Sequence, residues 1–300
     1  MRVVLPALVL SLVGCGLADY PGEPLIEAHR GAAGYWPENS RMALLESIDA
    51  GFDAIEFDLV LTADGVPVLW HDPALSPTKC TTSLFEPLEE DILLRELSFD
   101  ELSEGYSCGG LPNPEHPNAV VQFQSLMSLD ELLEALKHHP AVMMHLDVKV
   151  DHSQTAHRKR YASEVLERWY AADLPNSWYV SASEVETLTA FKEYGHTVGR
   201  EVPTSLIVPH VGADDSEVLV GLKNQVRTVL GVDEYVALAK GADIDALAIN
   251  HEIADRHGVW VANAEGLDVS LWTINDMADL RHYRKWPIKG LITDYPGDLP

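Results

Sequence analysis

Positive charge is scarce in this sequence. Lysine and arginine together number 21 against 47 aspartates and glutamates, for a formal net charge of −26. That excess disfavours loose attraction to nucleic acid or anionic lipid head groups and reads first as a solvated acidic surface. Cysteine is almost missing, with three in 300 residues. There is no short internal repeat, no low-complexity tract and no apolar run long enough to cross a bilayer as a helix. The leading run, Val3 to Val13, has only 11 residues, well under the ~20 that a spanning helix needs. What is present is a hydrophobic content of 46%, which allows a sizeable core and argues against global disorder. The length suits one large barrel or two modest domains.

The first residues read apart from the fold. Arg2 is a minimal positive region, and Leu12-Val13-Gly14-Cys15 resembles a bacterial lipobox, in which the leader is cut before the cysteine and the cysteine is acylated. Two or three acyl chains give a stable anchor where one does not; a plain signal peptide is the alternative. On this reading residues 1–15 are the leader and 16–23 a tether. The protein is then exported and lipid-anchored to a bacterial envelope membrane, facing the periplasm. Only Cys80 and Cys108 remain, in one loop-rich region of a chain that meets an oxidising compartment. A bridge between them would be worth about 3–4 kcal/mol by chain entropy; two free thiols are the alternative.

From residue 24 onward, strand and helix patterns alternate. Strands are expected at 24–31, 54–62, 66–71, 141–150, 178–183, 204–208, 245–250, 269–274 and 290–293. Helices are expected at 39–50, 128–138, 156–172, 184–194, 214–240, 253–265 and 276–283. The first of these carries Met42, Leu45 and Ile48 on one side, with Asn39 or Ser40 as its cap. Residues 73–124, rich in Pro, Gly, Ser and Glu, break the rhythm and read as an insertion stapled by the two cysteines, with one helix near 99–104. Eight principal strands separated by helices predict an α/β fold, a TIM-type (β/α)8 barrel over 24–300 with an insertion after the second strand region. An open doubly wound sheet is the runner-up. Only six residues follow Asp294, so the last outer helix is missing and something else, the insertion for instance, must cover that wall.

The chemistry gathers between Glu27 and Asp72. His29, Arg30, Glu56, Asp58, His71 and Asp72 fall within 44 residues, mostly on apolar segments. Strand positions two apart share a face, so Glu56 and Asp58 point together, as do His145, Asp147 and Lys149. If both sets face one barrel mouth, three carboxylates converge, and at ~4 Å and an effective dielectric of about 20 each like-charged pair costs about 4 kcal/mol. Such a cluster holds either protons or a cation. Oxygen donors with no cysteine favour Mg2+ or Ca2+ over zinc. His29 and His71 suit proton transfer at neutral pH. Arg30 and Lys149 suit a phosphate, one as a fork and the other as a point charge. The remaining eleven histidines read as structural or surface residues, His251 being the least certain.

His29-Arg30-Gly31, Pro37-Glu38-Asn39, the Gly51 to Asp58 run GFDAIEFD, Thr62-Ala63-Asp64-Gly65 and His71-Asp72 together resemble the glycerophosphodiester phosphodiesterase family, as do the later LDVK, LWTIND and GLITDYP segments. The resemblance covers residues 24–297 apart from much of the insertion. It implies a TIM-type barrel, a divalent cation, and cleavage of a small-molecule glycerophosphodiester to sn-glycerol 3-phosphate and an alcohol. It also implies His29 and His71 as the acid–base pair, Glu56, Asp58 and Asp147 as metal ligands, Arg30 and Lys149 on the phosphate, and Trp272 as an aromatic wall beside the substrate. Two departures stand out. Asp147 sits where the family often has glutamate, and Glu27 where an apolar residue is commoner. Glu27 shares a face with His29; orienting that imidazole and pairing with Lys149 are both open roles. Alternative readings keep the barrel but act on lysophospholipids or phosphoinositides, or bind phosphodiesters at the membrane without turnover.

Overall fold

The computed structural model describes residues 22–150, 157–209 and 231–298. The leader, Cys15 and most of the tether lie outside these, as does the first part of the helix expected at 214–240. Among the described residues no helix is long and apolar enough to cross a membrane.

In chain order the elements are β1 (Leu25–Ala28), α1 (Arg41–Ala50), β2 (Ala54–Leu61), β3 (Pro67–Leu69), β4 (Ala74–Leu75), β5 (Cys80–Thr82), β6 (Ile92–Leu93), α2 (Phe99–Gly105) and β7 (Tyr106–Cys108). They continue as α3 (Leu129–Leu136), β8 (Met143–Val148), α4 (Arg158–Ala172), β9 (Trp178–Ala182), α5 (Val185–Thr197) and β10 (Thr204–Val208). The last are α6 (Val232–Gly241), β11 (Ala246–Asn250), α7 (Arg256–Ala264), β12 (Asp268–Trp272), α8 (Met277–Tyr283) and β13 (Gly290–Thr293). Strands β1, β2, β8, β9, β10, β11, β12 and β13 pair in parallel, and β1 joins both β2 and β13, so the sheet closes. This is the expected barrel; β3 folds back antiparallel on the long end of β2.

Sequence signals set the boundaries. Ser98 and Ser128 each open a helix with a capping box to the glutamate three residues on. Asp255 and Asp276 accept two backbone N–H bonds each, and so cap α7 and α8 rather than beginning inside them. Ser40, not Asn39, caps α1. That helix buries Ala43, Leu44, Ser47 and Ile48, whereas Met42 and Leu45 are only half-buried. The expected first strand also ends earlier, at Ala28. Arg30, Gly31 and Ala32 follow with φ of 50°, 73° and 66°, a run of left-handed backbone that no strand contains. A side chain at Gly31 would meet the Ala43 Cβ at 2.9 Å, which is why the turn can press against α1 only with glycine there.

Apolar residues of strands and helices form one continuous core around the barrel. A second, smaller core of Val60, Val68, Trp70, Leu75, Leu88, Leu94, Leu102 and Leu126 lies under the insertion, together with Cys80 and Cys108. Those two cysteines are bridged, on adjacent short strands where they are register partners. The insertion's contacts run to the mouth, where the Val120 N–H donates to the Tyr35 carbonyl (2.8 Å), Gly109 abuts Pro37, and His116 reaches Tyr295. After β13 the chain turns at Pro296–Asp298, and Asp298 accepts a hydrogen bond from the Tyr35 hydroxyl (2.6 Å).

Candidate active site

Parallel pairing of β2 with β8 puts Glu56 opposite His145 and Asp58 opposite Asp147. Side-chain alternation then carries Glu56, Asp58 and Asp147 to one place. All three are buried, and one oxygen from each lies within 4.8 Å of the others. Asn39, left-handed at φ 52°, straddles Asp58. Its amide donates to Asp58 Oδ2 (2.7 Å), and its carbonyl accepts from the Asp58 backbone (2.9 Å). Lys149 Nζ reaches Asp147 Oδ2 (2.5 Å) and Asp58 Oδ1 (3.1 Å). The other Asp147 oxygen, Oδ1, is buried with no hydrogen-bond partner.

The electrostatics follow from this crowding. Burial, the Asp58 charge and the Asp147 charge push the Glu56 carboxyl up to about 7. Burial works in the same direction on Asp58, but Lys149, His71, Arg30 and His29 outweigh it and hold that carboxyl well below its usual range. An all-oxygen donor set with one orphaned buried oxygen fits a hard divalent cation. His29 Nε2 comes within 4.0 Å of Glu56 Oε2 from the β1 turn, and the Trp70 N–H, one residue before His71, donates to the Asp58 carbonyl (3.2 Å).

Each imidazole is backed by a carboxylate. His29 Nδ1 lies 2.7 Å from Asp294 Oδ1, and its Nε2 is 4.0 Å from Glu56 Oε2. Burial pulls His29 down, yet Asp294 and its hydrogen bond leave it raised. Burial raises Asp294, but His29 and Asn275 overrule it and hold the carboxyl at about 2. Asn275 donates to Asp294 Oδ2 (2.6 Å), and His116 from the insertion sits 3.6 Å from the same oxygen. His71 Nδ1 pairs with Asp72 Oδ1 at 2.8 Å. Burial lowers His71, and Lys149 and Arg30 add to it, so that Asp58 and Asp72 do not restore it.

Arg30 donates from its backbone to Glu56 Oε2 (2.6 Å) and from Nη1 to Glu38 Oε2 (2.8 Å). Its Nε lies 3.3 Å from Asp58 Oδ2 without the alignment of a hydrogen bond. Arg30 and Lys149 are thus both engaged with carboxylates. Trp272 ends β12, half-buried, with its indole N–H donating to the Ala248 carbonyl (2.9 Å).

Glu27 takes neither role left open for it. It lies deeper in the barrel, where Oε2 meets His145 Nδ1 (3.0 Å) and the Tyr179 hydroxyl (2.8 Å), and Oε1 lies 3.4 Å from Ser270 Oγ. Gly290 makes room for it, since a Cβ there would stand 2.2 Å from Glu27 Oε1. Of the remaining histidines, His145 is buried between Glu27, Ser181 and Tyr179, and His116 lies beside Asp294 and Tyr295. The sequence placed Asp72 in the cluster without giving it a role, and it gave none to Glu38, Asn39 or Asp294 either, although each sits in a quoted motif beside a chosen residue or at a strand end. Lys79 and His116, from the insertion, carried no signal at all.

The sequence profile of the glycerophosphoryl diester phosphodiesterase family matches residues 29–298. The glycerophosphodiester phosphodiesterase of Bacillus subtilis (strain 168) is 23% identical over 92% of this chain and 85% of its own. A crystal structure from Silicibacter pomeroyi DSS-3 superposes with a TM-score of 0.80 at 24% identity, covering 94% of this chain and 93% of that one. An Oleispira antarctica phosphodiesterase in complex with the product sn-glycerol-3-phosphate gives a TM-score of 0.67 at 21% identity, over 91% and 94% of the two chains.

Proposed function

The chain belongs to the glycerophosphoryl diester phosphodiesterase family, and from that premise we propose that it hydrolyses glycerophosphodiesters to sn-glycerol 3-phosphate and an alcohol. One observation carries the reading. The buried Glu56–Asp58–Asp147 cluster and two carboxylate-backed imidazoles converge on one barrel mouth. Binding alone does not need two positioned imidazoles. The product complex of the Oleispira antarctica relative supports the same substrate class.

Glu56, Asp58 and Asp147 would hold the divalent cation, Mg2+ or Ca2+. Bound there, it supplies positive charge to the phosphate oxygens as negative charge builds in the transition state. His71, with its lowered pKa, takes a proton from the attacking hydroxyl, either water, which gives sn-glycerol 3-phosphate directly, or the glycerol 2-hydroxyl, which gives a cyclic phosphate that a water then opens to sn-glycerol 3-phosphate. His29, whose pKa Asp294 raises against its burial, gives a proton to the leaving alkoxide. Arg30 and Lys149 hold the phosphate, and on substrate binding they exchange part of their pairing with Glu38, Asp58 and Asp147 for phosphate oxygens. Trp272 lines the substrate path.

The chain is read further as exported and lipid-anchored through Cys15, facing the periplasm. The Cys80–Cys108 bridge is in keeping with an oxidising compartment.

The test is release of glycerol 3-phosphate from glycerophosphocholine and glycerophosphoethanolamine, and of choline with lysophosphatidate from lysophosphatidylcholine, with Mg2+ or Ca2+ and with EDTA. Turnover of the first two, abolished by EDTA and lowered about 10²–10⁴-fold by His29→Ala or His71→Ala, is the expected outcome. Full activity in EDTA removes the cation. Exclusive turnover of lysophosphatidylcholine replaces the substrate class.

A further inference from the structure

We propose that Lys79 is a positioning residue for this reaction: from the disulfide-closed insertion it holds Glu38 behind Arg30 and Asp72 behind His71, so that the phosphate fork and the proton-accepting imidazole rest on one support. The assignment builds on the hydrolytic function above.

The two carboxylates divide their oxygens in the same way. Glu38 gives Oε2 to Arg30 Nη1 (2.8 Å) and Oε1 to Lys79 Nζ (3.0 Å). Asp72 gives Oδ1 to His71 Nδ1 (2.8 Å) and Oδ2 to Lys79 Nζ (2.7 Å). One ammonium therefore closes a chain from guanidinium to imidazole. The nitrogen also lies over the Trp70 ring, 5.8 Å from its centroid. A lone surface ion pair is worth little. This one differs because two like charges meet at a single cation. With the cation removed, Glu38 and Asp72 repel each other across a short gap, and each can relax only by turning away from the site group that it holds.

The insertion fixes the lysine from the other side. Its backbone carbonyl accepts from the Gly109 N–H (3.3 Å) and its N–H donates to the Ser76 carbonyl (3.1 Å). The next residue, Cys80, is bridged to Cys108. The insertion thus reaches the groups behind Arg30 and His71 through Lys79, as it reaches Asp294 through His116.

Lys79→Met, Lys79→Arg and wild type are compared by steady-state kinetics on glycerophosphocholine with saturating Mg2+, alongside thermal unfolding. A misplacement of about 1 Å can cost ~100-fold. Lys79→Met should lose about 10- to 100-fold in kcat with KM also raised, and Lys79→Arg, which keeps charge and donors, should recover most of both. Lys79→Gln replaces the methionine variant if that one does not fold. Kinetics of Lys79→Met at wild-type level, or a loss that Lys79→Arg does not rescue, overturns the role. If wild type releases no glycerol 3-phosphate, the hydrolytic function falls, and Lys79 is judged separately from 15N spectra of the imidazoles. There wild type and Lys79→Arg should show His71 protonated on Nδ1, and Lys79→Met a shift toward Nε2; spectra that do not change overturn the positioning role.

Discussion

The acid–base assignment depends most on Asp294, and replacing it with asparagine isolates its charge. Asp294 Oδ1 is 2.7 Å from His29 Nδ1, both side chains are largely buried, and Asn275 and His116 close the carboxylate in from the far side. A unit charge pair at about 4 Å and an effective dielectric of about 20 is worth at most about 4 kcal/mol, a ceiling of about 3 pKa units on His29. Without that charge His29 returns to its ordinary value or below, since burial is then opposed by Glu56 and helped by Arg30. A cation on Glu56 would push the same imidazole down further, which makes Asp294 the more necessary. The acid form must be present for the leaving group to depart, so the alkaline limb of the kcat profile should move to lower pH in Asp294→Asn. At pH 8, kcat should fall about 10- to 1000-fold, the factor that one to three pKa units take from the protonated fraction. The fold should survive. The Asp294 carboxyl is held at about 2 against an ordinary 3.8, which corresponds to about 2 kcal/mol of stability. That contribution is present above the unfolded pKa and lost as pH falls through the folded one. The assay is glycerol 3-phosphate release from about pH 5 to pH 10 with saturating divalent cation. A rate within about threefold of wild type, with the limb unmoved, refutes His29 as the acid held by Asp294.

Asn39→Ala removes two hydrogen bonds to Asp58, one of them to its charge, and forces alanine into a φ of 52°. It should cost about 3 kcal/mol in urea unfolding and weaken cation affinity about 10- to 100-fold; a cost near zero would mean that Asp58 is not held this way. The cation-free protein should lose stability as pH rises from 4.5 to about 7, because folded Glu56 keeps a proton there that the unfolded chain releases. Thermal unfolding with and without Mg2+ or Ca2+ checks this, and the slope should flatten with the ion present. Replacing Cys80 and Cys108 by serine opens a loop of sequence separation 28 and should cost about 3–4 kcal/mol, read by denaturant unfolding of the oxidised and serine forms. Metabolic labelling with palmitate should mark wild type and not Cys15→Ser; equal label in both removes the lipid anchor.

Much of this was legible because it is periodic. A period of two on β2 and β8 is enough to put Glu56, Asp58 and Asp147 on one side, and strand-end placement is enough to put them at a mouth. Asp72 and Glu38 were visible as neighbours of chosen residues, but their work is to hold other side chains, and nothing in a residue's type tells a ligand from the group behind it. Glu27 misled for a related reason. Sharing a strand face with the mouth does not give depth, and the barrel interior has layers; Glu27 belongs to the one below, with His145 and Tyr179. His29 left its strand because three left-handed residues follow Ala28, which only Gly31 announces. Lys79 and His116 were out of reach, since no pattern in an irregular segment says where a closed loop will lie.

The charge balance at the mouth explains why so costly a set persists. Among the described residues, Glu38, Glu56, Asp58, Asp72, Asp147 and Asp294 meet the charges of Arg30, Lys79 and Lys149, with His29, His71 and His116 adding charge when protonated. Full ionisation leaves an excess of negative charge in a desolvated place. A structure selected for stability alone would replace part of it with apolar residues. The excess is not spread evenly. Glu38, Asp72 and Asp294 are each paired to a cation or imidazole and are held low, whereas Glu56 is the one pushed up to about 7. The deficit therefore sits at the metal cluster and not around the histidines. A divalent cation relieves it where a proton on Glu56 otherwise would, and it does so without disturbing either carboxylate-backed imidazole. A divalent cation at that cluster would put positive charge at the point where a phosphate must be brought in against its own negative charge.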